Sequence, residues 1–320
     1  MAGPHRRAAP ALVLLALVSC ADKDLATEVD PEDAGEATPI VASCPTPAPP
    51  SSGEVNIELD IPYTAPADAS RRLDIAWPKT AGPHPLVVLL HGGGWAAGNK
   101  TDLRSEMRIL AGQGYAAASV GYRLAFGARN IFPAAVADAR CAVRWLRSNA
   151  GSYGIDGTRV AAAGYSAGAH LASMLGTASD VAGLDDGCSA SGPVDVSAVV
   201  SFAGPQDLRV NGPYTNEQAL LVTNFLGVFP GDAPAIATLA SPLAHVGAGD
   251  APFLMVHGAL DPLVPIDQSR RMKAALRASG VKATLLERAG AGHEFVSLAS
   301  TSAPEVGCTV LNFLDSVLQP

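Results

Sequence analysis

A serine lies at the centre of a short glycine-bounded motif whose spacing suits nucleophilic catalysis. Residues 164–168 read Gly-Tyr-Ser-Ala-Gly, follow the mainly apolar run 159–163 and open a small-residue helix over 169–175. A strand, sharp turn and helix would hold the hydroxyl of Ser166 clear of its neighbours, near a base and beside amides for an oxyanion. The pattern predicts a nucleophilic Ser166, and the alternative is an ordinary turn after a buried strand.

A second glycine-rich segment could supply the amides. The apolar run 85–90 ends in the sequence His-Gly-Gly-Gly-Trp at positions 91–95. We expect the amides of Gly93 and Gly94, together with that of Ala167 after the nucleophile, to form an oxyanion hole. The alternatives are a flexible turn or a phosphate cradle, and the loop lacks the Gly-Lys-Ser/Thr ending that a nucleotide site would use.

An acid and a base follow strand-like runs further along the chain. Asp261 comes after the apolar run 252–258, and His293 comes in a glycine-rich stretch after the run 282–288. Since the carboxyl ends of parallel strands carry the sites of such folds, we expect Asp261 and His293 to meet Ser166. Asp207 is the rival acid and ranks second, because an aspartate before a helix usually caps it.

The other histidines are weaker candidates. His91 heads the glycine loop, where a structural hydrogen bond is the expected role, and His257 falls inside a predicted strand. His170 lies four residues after Ser166. It is expected to be a partly buried structural histidine, with a place in the site lining as the alternative.

The order serine, aspartate, histidine is that of the α/β-hydrolases. Over roughly residues 55–318 the chain resembles α/β-hydrolase-fold esterases, and in particular the bacterial feruloyl and acetyl xylan esterases close to the hormone-sensitive-lipase-like carboxylesterases. The resemblance is carried by residues 122–124, 132–135, 138–147, 153–156, 164–168, 204–208 and 257–269. Gly121 and Ala169 depart from it, where relatives often carry an aspartate and a second glycine. These departures concern the subfamily more than the reaction.

The resemblance implies a serine carboxylesterase that acts on short-acyl or hydroxycinnamoyl esters of carbohydrates, and this choice of substrate rests on the resemblance alone. Two alternatives stay open: a serine peptidase or amidase on the same fold, and a catalytically silent surface-binding module. The catalytic scheme needs no metal or cofactor, and no Cys/His group has the spacing of a zinc site. The expected partner is therefore an ester substrate.

Alternating patterns predict an α/β protein with a mostly parallel eight-stranded sheet, an antiparallel hairpin at its edge and helices on both faces. Strands are expected near 56–60, 71–76, 86–90, 115–120, 159–163, 198–203, 253–257 and 282–288, and helices near 101–112, 133–149, 166–177, 266–279 and 304–318. The catalytic domain is expected over 54–320, with a small cap in 211–239. Substrate-pocket candidates are aromatic: Trp95, Tyr165, Phe225 and Phe229.

The N-terminus predicts export. Residues 1–19 combine Arg6 and Arg7, an apolar stretch over 11–18 and the sequence Leu-Val-Ser before Cys20, which resembles the lipobox of bacterial lipoproteins. Lipidation of Cys20 would anchor the chain at a membrane of the bacterial cell envelope, and a plain secretory signal is the alternative. Residues 20–53 are rich in acidic residues and proline, which predicts an extended tether.

Charge and cysteine content add two constraints. The net charge is −8, of which residues 1–53 carry −4 through three basic and seven acidic side chains. No basic cluster suggests a nucleic-acid partner. With Cys20 lipidated, four cysteines remain, Cys44, Cys141, Cys188 and Cys308, which allow three pairings. A free, buried Cys141 thiol is an equal alternative.

Overall fold

The computed structural model describes residues 55–209, 215–294 and 296–319. These residues belong to one compact unit, Thr38–Pro320. The predicted signal segment, Cys20 and the tether lie outside the described residues. Within the described ranges, none of the helices is both long and apolar enough to cross a membrane.

Strands and helices alternate along the described chain, as the sequence predicts. The strands are β1 (Val55–Pro62), β2 (Arg72–Pro78), β3 (His84–Leu90), β4 (Ala116–Val120), β5 (Ile155–Tyr165), β6 (Ala198–Phe202), β7 (Phe253–Gly258) and β8 (Ala283–Arg288). The helices are α1 (Arg104–Gly112), α2 (Ala134–Ser148), α3 (Ala167–Thr177), α4 (Asn216–Leu226), α5 (Pro234–Leu239), α6 (Asp267–Ala278) and α7 (Pro304–Leu318). Short 3-10 helices cover Lys100–Leu103, Ala150–Tyr153 and Pro242–His245.

The strands form one eight-stranded sheet in the order β1-β2-β4-β3-β5-β6-β7-β8. β1 pairs with β2, and β2 with β4, in antiparallel fashion, whereas all pairs from β4 to β8 are parallel. The predicted mostly parallel sheet with an antiparallel edge hairpin is confirmed. The parallel part brings the carboxyl ends of β3, β5, β7 and β8 to one edge, where the site lies.

Two hydrophobic cores cover the two faces of the sheet. The central strand β3 divides its side chains by strict alternation, because successive residues of a strand point to opposite faces. Leu86, Val88 and Leu90 pack in the core that contains residues of α2, α3, α4 and α6. Val87 and Leu89 pack in the core that contains residues of α1 and α7. The continuous apolar run of β3 is therefore the signature of a strand covered on both faces.

Two segments differ from the sequence-based boundaries. The helix predicted from residue 101 starts as a 3-10 turn, because Asn99 and Asp102 form a reciprocal capping box around its first residues. The predicted cap segment 211–239 contains α4 and α5, with residues 210–214 outside the described part. The Thr215 side chain caps α4 by accepting the amide of Gln218, and Gly227 ends the helix with φ 73°.

A disulfide joins Cys141 in the middle of α2 to Cys188 in the irregular segment between α3 and β6. The alternative of a free Cys141 thiol is wrong. The bond closes a loop of 47 residues, which the chain-entropy model values at about 4 kcal/mol. Arg140 and Arg144 of α2 pair with Asp185 of the same segment at 2.9 and 2.6 Å. A long irregular connection is thus fastened to a helix by covalent and ionic contacts.

Candidate active site

Ser166 stands at the junction of β5 and α3 in a conformation that few residues adopt. Its backbone has φ 52° and ψ −118°, a strained region for a residue with a Cβ. The flanking glycines are required by close contacts. A Cβ on Gly164 would lie 2.3 Å from the Gly168 carbonyl oxygen, and a Cβ on Gly168 would lie 2.0 Å from that of Leu90. The expected sharp turn is therefore present, with its serine at the apex.

His293 connects the serine to a carboxylate. Its Nε2 atom lies 3.0 Å from Ser166 Oγ, and its Nδ1 atom lies 2.7 Å from Asp261 Oδ2. The histidine loop reaches this position by packing on the end of β7, where a Cβ on Gly258 would lie 2.3 Å from the Gly292 carbonyl oxygen. The structure thus brings together the three residues that the sequence placed far apart.

The Asp261 carboxylate is surrounded by donors. Its Oδ1 atom accepts the amides of Leu263 and Val264 at 2.9 and 2.8 Å. Its Oδ2 atom faces His293 and also His257, whose Nε2 lies 3.2 Å away. Burial raises the pKa of Asp261, but the hydrogen bonds from His257, His293 and Val264 outweigh burial and hold it well below its usual range. The carboxylate is ionised at neutral pH and can stabilise an imidazolium at His293.

Asp207, the rival acid, is buried and has other partners. Its carboxylate pairs with Arg209 at 2.7 Å and with Arg271 at 2.9 Å. Its backbone amide donates to Gln268 Oε1 at 2.8 Å. Asp207 therefore joins the β6 end to α6, and the expectation that ranks it below Asp261 agrees with these contacts.

The glycine loop packs directly on the serine turn. A Cβ on Gly92 would lie 2.8 Å from the ring of Tyr165, so the loop can come this close only without a side chain there. Gly93 has φ 111°, and its carbonyl accepts the amides of Ala96 and Ala97, which closes a tight turn. Ala167 opens α3, where the first amides of a helix have no acceptor within it. The roles of Gly93, Gly94 and Ala167 as oxyanion donors stay a prediction.

His91 has the structural role expected of it. Its ring stacks on Tyr122 with centroids 4.2 Å apart, and its Nδ1 lies 2.8 Å from the Gly92 carbonyl oxygen. The Tyr122 hydroxyl donates to the His91 carbonyl at 2.7 Å. Burial lowers the pKa of His91. A neutral imidazole therefore supports the start of the glycine loop.

Trp95 and Phe225 are packed in the core, and their expected part in a substrate pocket stays a prediction. Trp95 stacks on Phe225 with ring centroids 4.4 Å apart, and both side chains are buried. Trp95 Nε1 donates to Nδ1 of His170 at 3.2 Å, and His170 Nε2 lies 2.7 Å from the Ala240 carbonyl oxygen. Burial lowers the pKa of His170 to about 4, so the ring is neutral and joins the glycine loop to the segment after α5.

Tyr165 and Phe229 differ in their relation to the site. Tyr165 is half-buried, its ring lies 5.2 Å from that of His293, and its hydroxyl donates to the His293 carbonyl at 3.1 Å. Burial, followed by the charges of Asp261 and Glu294, raises its pKa to about 12. Phe229 lies beyond the end of α4 with 45% of its surface exposed. Tyr165 therefore borders the reacting side chains, whereas the place of Phe229 in a substrate pocket stays a prediction.

Leu221 is a site neighbour that the sequence did not single out. A Cβ on Gly94 would lie 2.9 Å from its Cδ2 atom, so Leu221 packs over the glycine loop. The start of α4 is also tied to the turn after Asp261, because the Thr215 hydroxyl donates to the Leu263 carbonyl at 3.1 Å. A spacing of four residues from Phe225 could have indicated that Leu221 shares its inward face.

A mostly parallel sheet with a serine turn after β5, an acid after β7 and a histidine after β8 defines the α/β-hydrolase fold. The BD-FAE family model matches residues 73–276, and the chain belongs to that family. The resemblance to α/β-hydrolase esterases is thereby confirmed.

Relatives and solved structures agree with this assignment. Esterase LipC of Mycobacterium tuberculosis is 32% identical over 245 residues, which cover 73% of this chain and 59% of the relative. Esterase LipQ of the same organism is 31% identical over 267 residues, 80% of this chain and 61% of the relative. This chain thus spans about three fifths of the length of these relatives.

Two solved structures match over most of this chain and nearly all of their own length. A truncated form of a carbohydrate esterase from gut microbiota has a TM-score of 0.70 and 26% identity, covering 84% of this chain and 99% of its own. Thermogutta terrifontis esterase 2 in a propionate-bound structure has a TM-score of 0.66 and 25% identity, covering 85% and 98%. The similarity therefore covers more than four fifths of this chain.

Substitution of each buried aspartate, Asp261 and Asp207, tests which of them is the acid partner of His293. Asp261→Asn is expected to lower the kcat of ester hydrolysis about a thousandfold or more, because an amide cannot stabilise the imidazolium at His293. Asp207→Asn should keep kcat within about threefold and lower stability by about 1–3 kcal/mol, because it weakens the ion pairs of a buried carboxylate with two partly exposed arginines. Steady-state kinetics and thermal unfolding of both variants measure these effects. An equal loss of kcat in the two variants would contradict the assignment of Asp261.

Proposed function

We propose that the protein is a serine carboxylic-ester hydrolase that works through an acyl-enzyme. The observation that carries the proposal is the continuous hydrogen-bonded path from Asp261 through His293 to Ser166, with 2.7 and 3.0 Å between the heavy atoms. The naming of similar proteins as esterases supports the same chemistry. A binding function does not require a serine with a strained backbone that is hydrogen-bonded to a histidine and a carboxylate.

In the proposed reaction, Ser166 Oγ attacks the ester carbonyl while His293 Nε2 takes the hydroxyl proton. The amides of Gly93, Gly94 and Ala167 receive the oxyanion of the tetrahedral intermediate. His293 returns its proton to the leaving alcohol, the carbon–oxygen ester bond breaks and the acyl group stays on Ser166. Water then attacks the acyl-enzyme, with His293 again as base, and releases the carboxylic acid.

The proposed substrates are short-acyl or hydroxycinnamoyl esters of carbohydrates. Two structural neighbours support a carbohydrate ester: the gut-microbiota carbohydrate esterase and a bifunctional GH43-CE protein of Bacteroides eggerthii. Propionate-bound and butyrate-bound structures of Thermogutta terrifontis esterase 2 support a short acyl group. Packing of Leu221 over Gly94 also favours a short acyl group, because it takes up space beside the proposed oxyanion hole.

Ser166→Ala tests the nucleophile. The variant should lose about four orders of magnitude or more in kcat for 4-nitrophenyl acetate, since the attacking oxygen is gone. It should also lose labelling by a fluorophosphonate probe. Ser152→Ala, at an exposed position of the Ala150–Tyr153 turn, is the matched control and should keep both properties. Ester hydrolysis or probe labelling that persists in purified Ser166→Ala protein would refute the proposal.

A substrate panel tests the proposed specificity. With 4-nitrophenyl esters of increasing length, kcat/KM should be highest at about four carbons or fewer, because space beside the glycine loop is limited by Leu221. Acetylated xylan and methyl ferulate should be hydrolysed much faster than peptide amides. A maximum at ten carbons or longer would contradict the short-acyl proposal, and preferential amide cleavage would favour a peptidase.

We also propose that the protein is exported and anchored in the bacterial cell envelope by lipid on Cys20. The support is the lipobox-like sequence at 17–20 and the disulfide Cys141–Cys188, because disulfides persist in oxidising compartments. Each methylene of an acyl chain that is buried in the membrane contributes about 0.8 kcal/mol of binding free energy, so several chains would hold the protein firmly on a membrane surface.

Cys20→Ala tests the anchor. When the full chain is expressed in a bacterium fed radiolabelled palmitate, the parent should carry label and sediment with membranes, whereas Cys20→Ala should do neither. Ser19→Ala leaves the cysteine and a small residue before it, so this control should remain labelled. Absence of label from the parent would instead indicate the plain secretory signal.

A further inference from the structure

A second histidine reaches the carboxylate that orients His293. His257 lies at the end of β7, four residues before Asp261, and its side chain is buried. Its Nε2 atom is 3.2 Å from Asp261 Oδ2, the same oxygen that lies 2.7 Å from His293 Nδ1. Two imidazoles therefore meet at one carboxylate oxygen, and the proposed reaction uses only one of them.

The neighbours of His257 assign its proton. Nε2 also lies 2.8 Å from the Val264 carbonyl oxygen, and both this carbonyl and an ionised carboxylate can only accept hydrogen bonds. Nε2 must therefore carry a hydrogen. Nδ1 lies 2.7 Å from Ser269 Oγ, and a serine hydroxyl can donate to it. A neutral ring with its hydrogen on Nε2 satisfies every one of these contacts and avoids a second buried charge.

The two oxygens of Asp261 are held in different ways. Two backbone amides of the adjoining turn, from Leu263 and Val264, fix Oδ1. Oδ2 depends on the two imidazoles, so without His257 only His293 would hold it. His257 itself is fixed from α6 by Ser269 and from the turn by Val264. Rotation of the carboxylate about its side-chain axis is thus limited by His257.

We propose that His257 is a positioning residue of the hydrolytic site. By donating a hydrogen bond to Asp261 Oδ2, it holds that oxygen in line with His293 and partly neutralises its negative charge. The inference rests on the proposed function for its effect on turnover. The structural part of the inference is that His257 and His293 both contact Asp261 Oδ2, and this does not depend on which ester is hydrolysed.

The proposal fixes the direction of a pH effect. A neutral donor on Oδ2 leaves less negative charge there to stabilise protonated His293. Loss of the donor should therefore strengthen the interaction between Asp261 and protonated His293, which moves the acid limb of activity to higher pH. Among the described residues, the other ionisable groups near the two imidazoles include Tyr165, which stays neutral because its pKa is raised, and Glu294, which pairs with Arg288 at 2.9 Å. Glu287 of β8 is the strand partner of His257, and its carboxylate pairs with Arg270 of α6 at 2.6 Å. All of these groups are the same in the parent and in the variants at position 257.

His257→Met and His257→Gln form the matched pair. Methionine fills the space without a donor, whereas a glutamine amide can reach the place of Nε2–H. With 4-nitrophenyl acetate, His257→Met should lower the plateau kcat about tenfold with KM within about twofold, since it removes a hydrogen bond to a charged group. The acid limb of its kcat/KM profile should move up by about half a pH unit or more. His257→Gln should return both quantities to near the parent values.

A second measurement does not depend on turnover. In the Ser166→Ala background, NMR titration of the His293 ring should show the same upward shift for His257→Met and none for His257→Gln. If the parent hydrolyses no ester, the proposed function fails, while this titration still decides the role of His257.

Two results would overturn the proposal. One is a folded His257→Met protein with the His293 titration and the kcat of the parent. The other is an equal loss of kcat in the Met and Gln variants with no shift in either, which would indicate a role in packing alone. If His257→Met does not fold, Ser269→Ala takes its place, because it removes the partner of Nδ1. That variant should lower kcat about threefold and shift the titration in the same direction, and parent-like values in it would overturn the proposal.

Discussion

The close approach of α3 to the ends of β3 and β5 is the constraint on which the site depends. Without side chains at positions 164 and 168, the helix can begin immediately after the serine and press against the Leu90 carbonyl. This contact accompanies the positive φ of Ser166, 52°, and it places Gly168 against the start of the glycine loop, where an added Cβ would lie 2.4 Å from the His91 carbonyl oxygen. The backbone strain, of the order of 1–3 kcal/mol, is offset by the packing of α3 in the larger core. One packing contact thus places both the serine at the apex of the turn and the start of α3.

The acid and the base are positioned by a different mechanism, which uses hydrogen bonds. Asp261 is buried, and a buried carboxylate is tolerated only when its oxygens are satisfied. Two amides and two imidazoles meet this need, and the same bonds fix the imidazole that faces Ser166. The buried charge therefore orders the turn after β7 and the histidine loop at once. Stability and chemistry depend on the same contacts here.

Much of this arrangement is readable from the sequence because glycine and strand ends mark it. The order of Ser166, Asp261 and His293, each after an apolar run, predicts that they meet at one edge of a parallel sheet. The side-chain directions in the cap segment 211–239 were harder to predict, because an aromatic residue in a helix can face either the core or the cleft. Phe225 faces the core beside Trp95, and Leu221 packs over Gly94 instead. Four cysteines allow three pairings, so only the spatial proximity of Cys141 and Cys188 could identify their bond.

The Cys141–Cys188 bond has a topological consequence. The chain between the two cysteines contains all of β5, the serine turn and all of α3, so Ser166 lies inside a closed covalent ring. A single protease cut anywhere in that ring would open it without releasing a fragment. A nicked molecule would keep both pieces joined, and the ends of the cut could return to their places in the sheet. Such a ring would confer tolerance to proteolytic cuts close to Ser166.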